Sequence, residues 1–233
     1  MTATARSTFF SKQRRAFITG GARGIGRAIA QDLEQNGCEV ICPPRAELDL
    51  SDLNSIERFL DRHDDLEVDI LINNAGINFP SLIENVDSKN WQDTFQVNLT
   101  APFMLSRHFS AGMRKRKWGR IINVSSVFSF VTKEGRSIYT ATKAALNGFT
   151  RTCAVEWGKD GVLVNALCPG YIDTALTRQN NTEAQIAKTR EQIPLGRLAN
   201  TDEIAKMVSF MCSDLNSYMT GQCVVVDGGF SLK

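Results

Sequence analysis

Six short apolar runs, at 16–19, 38–42, 68–73, 120–125, 162–168 and 222–226, alternate with longer segments of helical period. Ile25, Ala28, Ile29 and Leu33 set the spacing of the first such segment, and Gly37 follows where a left-handed helix end is expected. Strands that are apolar almost throughout must be covered on both faces. Strand–helix alternation of this kind predicts an α/β fold with a doubly wound parallel sheet of six or seven strands. Ligands of such sheets bind beyond the carboxyl ends of the strands, where the strand order reverses. No repeat, low-complexity tract or linker interrupts the pattern, so we expect a single domain over 16–233 behind an N-terminal arm, 1–15.

One stretch is irregular. Only residues 43–47 separate the second run from Leu48-Asp49-Leu50. A parallel crossover takes roughly a dozen residues or more, so either a third strand is very short or the crossover helix after strand 2 is missing. A sheet face left bare there needs cover from the arm or from a partner subunit. The arm itself reads as a frayed terminus, with packing of Phe9 and Phe10 on the body as the alternative.

Composition excludes several functions. A net charge of +2 gives no strong pull toward nucleic acid or anionic membrane. No apolar run approaches the roughly 18 residues of a membrane span, and residues 1–15 lack the apolar core of a secretory signal. The six cysteines form no CxxC pair, and several fall in strand-like runs; we expect buried, reduced thiols and a cytoplasmic protein. His63 and His108 lie in no ligand motif, so no metal is expected. The basic run 114–117 (RKRK) ends a helical segment, where cations complement the dipole, and is expected as a solvated helix end. A nucleic-acid patch is not expected, because no stacking aromatics interleave it. Attraction of an acidic carrier protein is the alternative.

Residues 19–26 read TGGARGIG, after a strand and before a helix. Gly20 permits a tight turn, Gly24 lets a pyrophosphate approach the backbone, and Gly26 lets the helix pack on the strand. The helix N-terminus, with Ile25 in its first turn, presents free N–H groups and a positive dipole end to phosphate. Further along, Tyr139 and Lys143 stand four apart on one helical face. A phenol is a poor acid–base group at neutral pH, and a neighbouring ammonium is expected to favour its phenolate.

With NNAG at 73–76, Ser126, the YxxxK pair, Pro169-Gly170 and the ending 194–229 (PLGRLANTDEIAKMVSFMCSD…YMTGQCVVVDGG), the order and spacing are similar to the short-chain dehydrogenase/reductase family. The resemblance implies a Rossmann-like fold, interconversion of a carbonyl and an alcohol by hydride transfer with a nicotinamide dinucleotide, and a homodimer or homotetramer. It implies Tyr139 as proton donor, Lys143 as its partner and ribose ligand, Ser126 rather than Ser125 as the donor to the substrate oxygen, and Asn98 as support of a proton relay. It also implies cofactor contacts from Asp49 and Leu50 at the adenine, from Asn74, Ala75 and Gly76 at the adenosine ribose, and from Pro169, Gly170, Ile172 and Thr174 at the nicotinamide. Asn74 has a structural role as its alternative, and Asp173 is expected as a surface turn residue.

The second run ends in Cys42, Pro43, Pro44 and Arg45, with no carboxylate in place to bond a ribose 2′-OH. Arg45 and Arg23 are candidates for a 2′-phosphate. The expected cofactor is therefore NADP(H), with NAD(H) as the alternative if Glu47 reaches the ribose. Phe128 and Phe130 are candidates for the substrate cleft, with core packing as the alternative for one of them. A lid is expected near 175–192, whose Gln179, Asn180, Asn181 and Gln185 hint at a polar, hydroxyl-bearing substrate. The expected activity is NADPH-dependent reduction of a small-molecule ketone. A 3-oxoacyl-carrier-protein reductase and a catalytically silent dinucleotide sensor are the alternatives.

Overall fold

The six runs become six strands: β1 (Arg15–Ile18), β2 (Glu39–Ile41), β3 (Ile70–Asn73), β4 (Gly119–Val124), β5 (Val162–Pro169) and β6 (Cys223–Val226). They pair in parallel in the order β2-β1-β3-β4-β5-β6, so the order reverses between β1 and β3. This computed structural model describes residues 9–179 and 181–232, apart from the side chain of Leu176. Around the sheet lie α1 (Gly24–Gln35), α2 (Leu53–Arg62), α3 (Ser88–Phe95), α4 (Ala101–Lys115), α5 (Ser137–Trp157), α6 (Ala175–Gln179), α7 (Glu183–Gln192) and α8 (Thr201–Cys212).

Alternate strand residues feed two cores, as the two-residue period requires. On one face Ala16, Ile18, Ile70 and Ile72 pack with Ile29 and Leu33 of α1 and Ile204 and Val208 of α8. On the other, Phe17, Leu71 and Ile121 pack with Phe59 of α2, Leu105 of α4 and Cys153 of α5. Gly37, at φ 87°, ends α1 as expected: its N–H donates to Glu34 O at 2.9 Å, and that of Cys38 to Leu33 O at 3.0 Å.

The connection after β2 settles the irregular stretch. Residues 48–50 form no strand, and no helix intervenes before α2. The sheet therefore ends at β2, where Val40 and Ile41 are half-buried and Glu39 is exposed. Leu48 is buried in the second core, with Ile41 and Leu50 half-buried against it, so loop and α2 together close that edge.

The arm packs elsewhere. Phe10 is buried in the first core and Phe9 lies against it. Ser11 donates through N and Oγ to Asp214 Oδ2 at 2.7 and 2.6 Å. Arg14 pairs with Asp214 at 3.3 Å and stacks 3.4 Å above the Trp118 ring. A buried Phe contributes roughly 2 kcal/mol, enough with these contacts to hold the segment from Phe9 onward. The frayed reading is thus corrected there, and Arg15 belongs to β1 rather than the arm; residues 1–8 lie outside the described residues.

The basic run is ion-paired as well as exposed. Arg114 and Lys117 both pair with Asp160, at 3.2 and 2.6 Å. Arg116 reaches Glu67 and Asp69 at 3.5 and 3.6 Å and donates to Val68 O at 2.7 Å. The run links the end of α4 to the starts of β3 and β5, while Arg114, Lys115 and Lys117 stay exposed, as expected of a solvated helix end. All six cysteines are free and four are buried. Among the described residues no cluster suits a metal ion, and no helix is long and apolar enough to cross a membrane.

Candidate active site

The glycine turn after β1 sits at the reversal of strand order and is stitched to the end of β3. Thr19 Oγ1 accepts from the N–H groups of Asn74 and Ala75, each at 3.0 Å. Asn74 Nδ2 donates to Thr19 O at 2.9 Å and Gly20 O at 3.3 Å, which gives this residue a structural role. The glycines divide their work by space. A Cβ on Gly26 would fall on Gly20 O and Asn74 Nδ2, so Gly26 lets α1 pack against the turn. At Gly24, φ 54°, an added Cβ would meet only Thr174 Cγ2 at 3.9 Å; this backbone borders open space. Arg23, exposed, precedes α1 without a side-chain cap, and no acidic residue occupies the helix's first turn, where Ile25 is half-buried. The first N–H groups of the helix are left for an anion. The turn therefore fits the pyrophosphate of a dinucleotide.

Tyr139 and Lys143 lie on the first turns of α5, and Ser126 follows β4. Lys143 is buried, and its Nζ lies 5.6 Å from the Tyr139 ring centroid and donates to Val124 O at 2.7 Å. Ser126 lies beside Tyr139, whose phenol it pulls downward, and its Oγ accepts from Phe128 N at 3.2 Å. Ser125 turns away, its hydroxyl donating to Lys143 O at 3.1 Å. Asn98 sits in a π-helical turn, Gln96–Thr100, between α3 and α4, a distortion often found at functional sites. Its Oδ1 accepts from Ile77 N at 2.9 Å; its Nδ2 donates to Ile77 O at 3.0 Å and to Thr142 Oγ1 at 3.2 Å. Gly76 joins the groups: a Cβ there would lie 3.3 Å from Asn98 Oδ1 and 3.5 Å from Lys143 Nζ.

The electrostatics correct one expectation. Burial pushes the Tyr139 phenol above its usual value, although Ser126 and Arg136 pull the other way. Burial also lowers the Lys143 ammonium to about 8. With protein groups alone, then, desolvation outweighs the pull of Ser126 and Arg136, and the phenolate is not favoured. Tyr139 is held protonated, the form that gives a proton to an alkoxide.

At the adenosine end Arg45 is exposed, with Nε 3.1 Å from Asp49 Oδ2 and Nη2 donating to Ser51 Oγ at 3.3 Å. Asp49 Oδ1 accepts from Ser51 N and Oγ at 2.9 and 2.6 Å. These bonds, that of Ser51 first, hold the Asp49 carboxyl below its usual value. Both oxygens expected to border the adenine thus already have partners. Leu50 turns its side chain to the core, and Glu47 lies 3.8 Å from His63 Nε2 at the end of α2.

The loop after β5 closes the other end. Gly170 packs against Asp227, Ile172 pairs with Ala199, and Thr174 faces Gly24. Asp173 is a surface residue bonded twice by Arg178, at 2.8 and 2.7 Å. In the segment 175–192, Asn181 donates to Thr177 O, and Gln185 forms a capping box with Thr182. These amides serve their own backbone rather than a substrate; Gln179 is exposed, and Asn180 lies outside the described residues. Ile186 anchors the segment in a small core with Ile193 and Leu198.

Phe128 is buried edge-on to Tyr139 and Tyr171, whereas Phe130 is exposed. Thr142, Tyr171, Lys133 and Arg136 join the site without having been singled out in the sequence. Thr142, three residues after Tyr139, stands on the same helical face, which was a legible signal.

Comparison with known proteins agrees with this geometry. Residues 43–231 match the family described as Enoyl-(Acyl carrier protein) reductase. The 3-oxoacyl-[acyl-carrier-protein] reductase of Aquifex aeolicus is 37% identical over 92% of this chain and 96% of its own. That of Escherichia coli K12 is 38% identical over the same shares. A structure from Beutenbergia cavernae, assigned as an NAD(P)-dependent gluconate 5-dehydrogenase with bound NADP, superposes with a TM-score of 0.92 at 33% identity, covering 98% of this chain and 100% of that one. The chain belongs to the short-chain dehydrogenase/reductase family, nicotinamide-dependent oxidoreductases that interconvert CH–OH and C=O groups.

Proposed function

We propose that this protein is an NADPH-dependent reductase of a small-molecule ketone, and that Ser126, Tyr139, Lys143 and Asn98 carry the reaction. The observation that supports this most directly is the meeting of Ser126, Tyr139 and Lys143 across from Gly76, at the reversal of strand order. The nicotinamide, when bound, supplies the hydride. Ser126 donates to the carbonyl oxygen and stabilises its developing charge. Tyr139 gives that oxygen its proton. Lys143 holds a cation beside the phenol and offers N–H donors toward the ribose; Asn98, buried and fixed through Ile77 and Thr142, keeps a polar path to Lys143.

Cofactor contacts are assigned to Gly20, Arg23, Gly24, Ile25 and Gly26 at the phosphates and to Arg45 at the 2′-phosphate, with Asp49 orienting Arg45. Ala75 and Gly76 lie toward the ribose, and Pro169, Gly170, Ile172 and Thr174 toward the nicotinamide. The NADP held by the Beutenbergia structure supports NADP(H) over NAD(H). The similar carrier-protein reductases favour 3-oxoacyl substrates as a second reading. Against a carrier docking on RKRK stands the internal pairing of Arg114, Arg116 and Lys117. The free thiols support a cytoplasmic setting, and exposed apolar side chains on α4 and α5 support a homo-oligomer.

The test is calorimetric titration with NADPH and NADH, followed by a ketone panel that includes acetoacetyl-CoA. We expect NADPH to bind at least about tenfold tighter, a difference that narrows in Arg45→Gln. Tyr139→Phe should retain NADPH binding and lose roughly 10²–10⁴ in turnover. A Tyr139→Phe variant as active as the parent would sink the catalytic assignment.

A further inference from the structure

Two cations, Lys133 and Arg136, stand over the aromatic wall of the reacting centre. Tyr139, Phe128, Tyr171 and Phe230 form an edge-to-face series, with centroid separations of 6.5, 6.0 and 5.2 Å. Lys133 Nζ lies 5.8 Å from the Phe128 centroid and 5.4 Å from that of Tyr171, and it donates to Tyr171 Oη at 3.0 Å. The Arg136 guanidinium lies 5.8 Å from the same Phe128 ring and acts on the Tyr139 phenol through space. Both charges thus sit one aromatic ring from Tyr139.

Neither has a carboxylate within ion-pair reach among the described residues. Arg136 is the residue preceding α5, it makes no capping bond, and the first turn of that 21-residue helix holds no acidic side chain. A cation there is repelled by the positive end of the helix dipole. The ring faces offset only part of that repulsion. An anion reaching both cations relieves that repulsion and gains a charge-assisted bond from each. Lys133 keeps two N–H donors after its bond to Tyr171, and arginine's planar fork suits a carboxylate or phosphate.

We infer that Lys133 and Arg136, with Tyr171 Oη, form an anion subsite, and that the substrate is a ketone bearing a carboxylate or phosphate about one ring's width from its carbonyl. This rests on the reductase reading and specifies its substrate class. The subsite differs from the dinucleotide phosphate site, which lies at the glycine turn.

Matched ketones test it in the NADPH-loaded enzyme: 5-keto-D-gluconate against D-fructose for carboxylate, and dihydroxyacetone phosphate against dihydroxyacetone for phosphate. We expect kcat/KM to favour at least one charged partner. In Lys133→Gln/Arg136→Gln that preference should fall by about tenfold or more, mainly through KM. The pair that responds identifies the oxyanion. An undiminished preference in the double variant, or no preference in the parent, overturns the subsite. Should no ketone turn over, the reductase reading fails separately. The subsite is then judged by calorimetry of the NADP-loaded protein with gluconate and with inorganic phosphate. Binding abolished in the double variant supports it, and binding that is absent or unaffected overturns it.

Discussion

Lys143 shows how a single side chain sets chemistry against stability. Burial lowers its ammonium to about 8 from the ordinary 10.5, so between those values the unfolded chain holds a proton that the folded protein has shed. Stability then rises with pH across that window, and below about 8 the whole penalty, roughly 3 kcal/mol, is in force. Lys143→Met removes the charge but leaves Val124 O without its 2.7 Å donor, which costs back about 1–2 kcal/mol. We expect this variant to be inactive yet about 1–2 kcal/mol more stable in urea near pH 7, with the advantage lost between about pH 9 and 10 and reversed above it. An equally unstable variant at neutral pH would show that the ammonium is well solvated. The sequence revealed the Tyr–Lys pair through spacing alone. It did not reveal the direction of the shifts, because burial outweighs charge here and burial belongs to the tertiary structure.

The glycine turn and α1 make a sharper test at the level of elements. Gly26→Ala drives a methyl into Gly20 O and the Asn74 amide, both parts of the stitching between β1 and β3. We expect a loss of about 1–3 kcal/mol in a denaturant melt, with dinucleotide binding impaired alongside. Gly24→Ala meets open space, so its cost is limited to the positive φ, about 1 kcal/mol. The fold should survive that change while NADPH affinity falls at least about tenfold; equal melting losses in both variants would refute this division of labour. Strand positions were legible to within a residue or two because each strand lies in an apolar run, those of β1, β3, β4 and β5 largely buried. The π-helical turn that seats Asn98 was not, since one extra residue per turn leaves little trace in hydrophobic period. The Arg45–Asp49–Ser51 network was hidden for a similar reason: three polar residues on a loop carry no periodicity to read.

For the whole molecule, sequence reasoning reached the sheet and the reacting centre but missed what pins the periphery. Arg14, Trp118 and Asp214 are scattered along the chain and meet only once the fold is formed, so nothing local marks the anchored arm. Exposed apolar residues point beyond the monomer. Phe103 of α4 is 43% exposed and contacts Phe149 of α5, whose Val155 is 85% exposed. If these helices meet a second copy, Phe103→Glu/Val155→Glu should lower the mass found by light scattering while leaving the monomer fold intact by circular dichroism. An unchanged mass would place the interface elsewhere. The early end of the sheet at β2 has one more consequence. An edge strand is an open template for another chain, yet this one is only three residues long and runs into Pro43-Pro44, which offer no N–H groups. Glu39 at its start is exposed and paired with Arg15 at 3.0 Å. A sheet that stops short in this way is guarded against growing by accretion, so filament-like self-association through this edge is disfavoured even at high protein concentration.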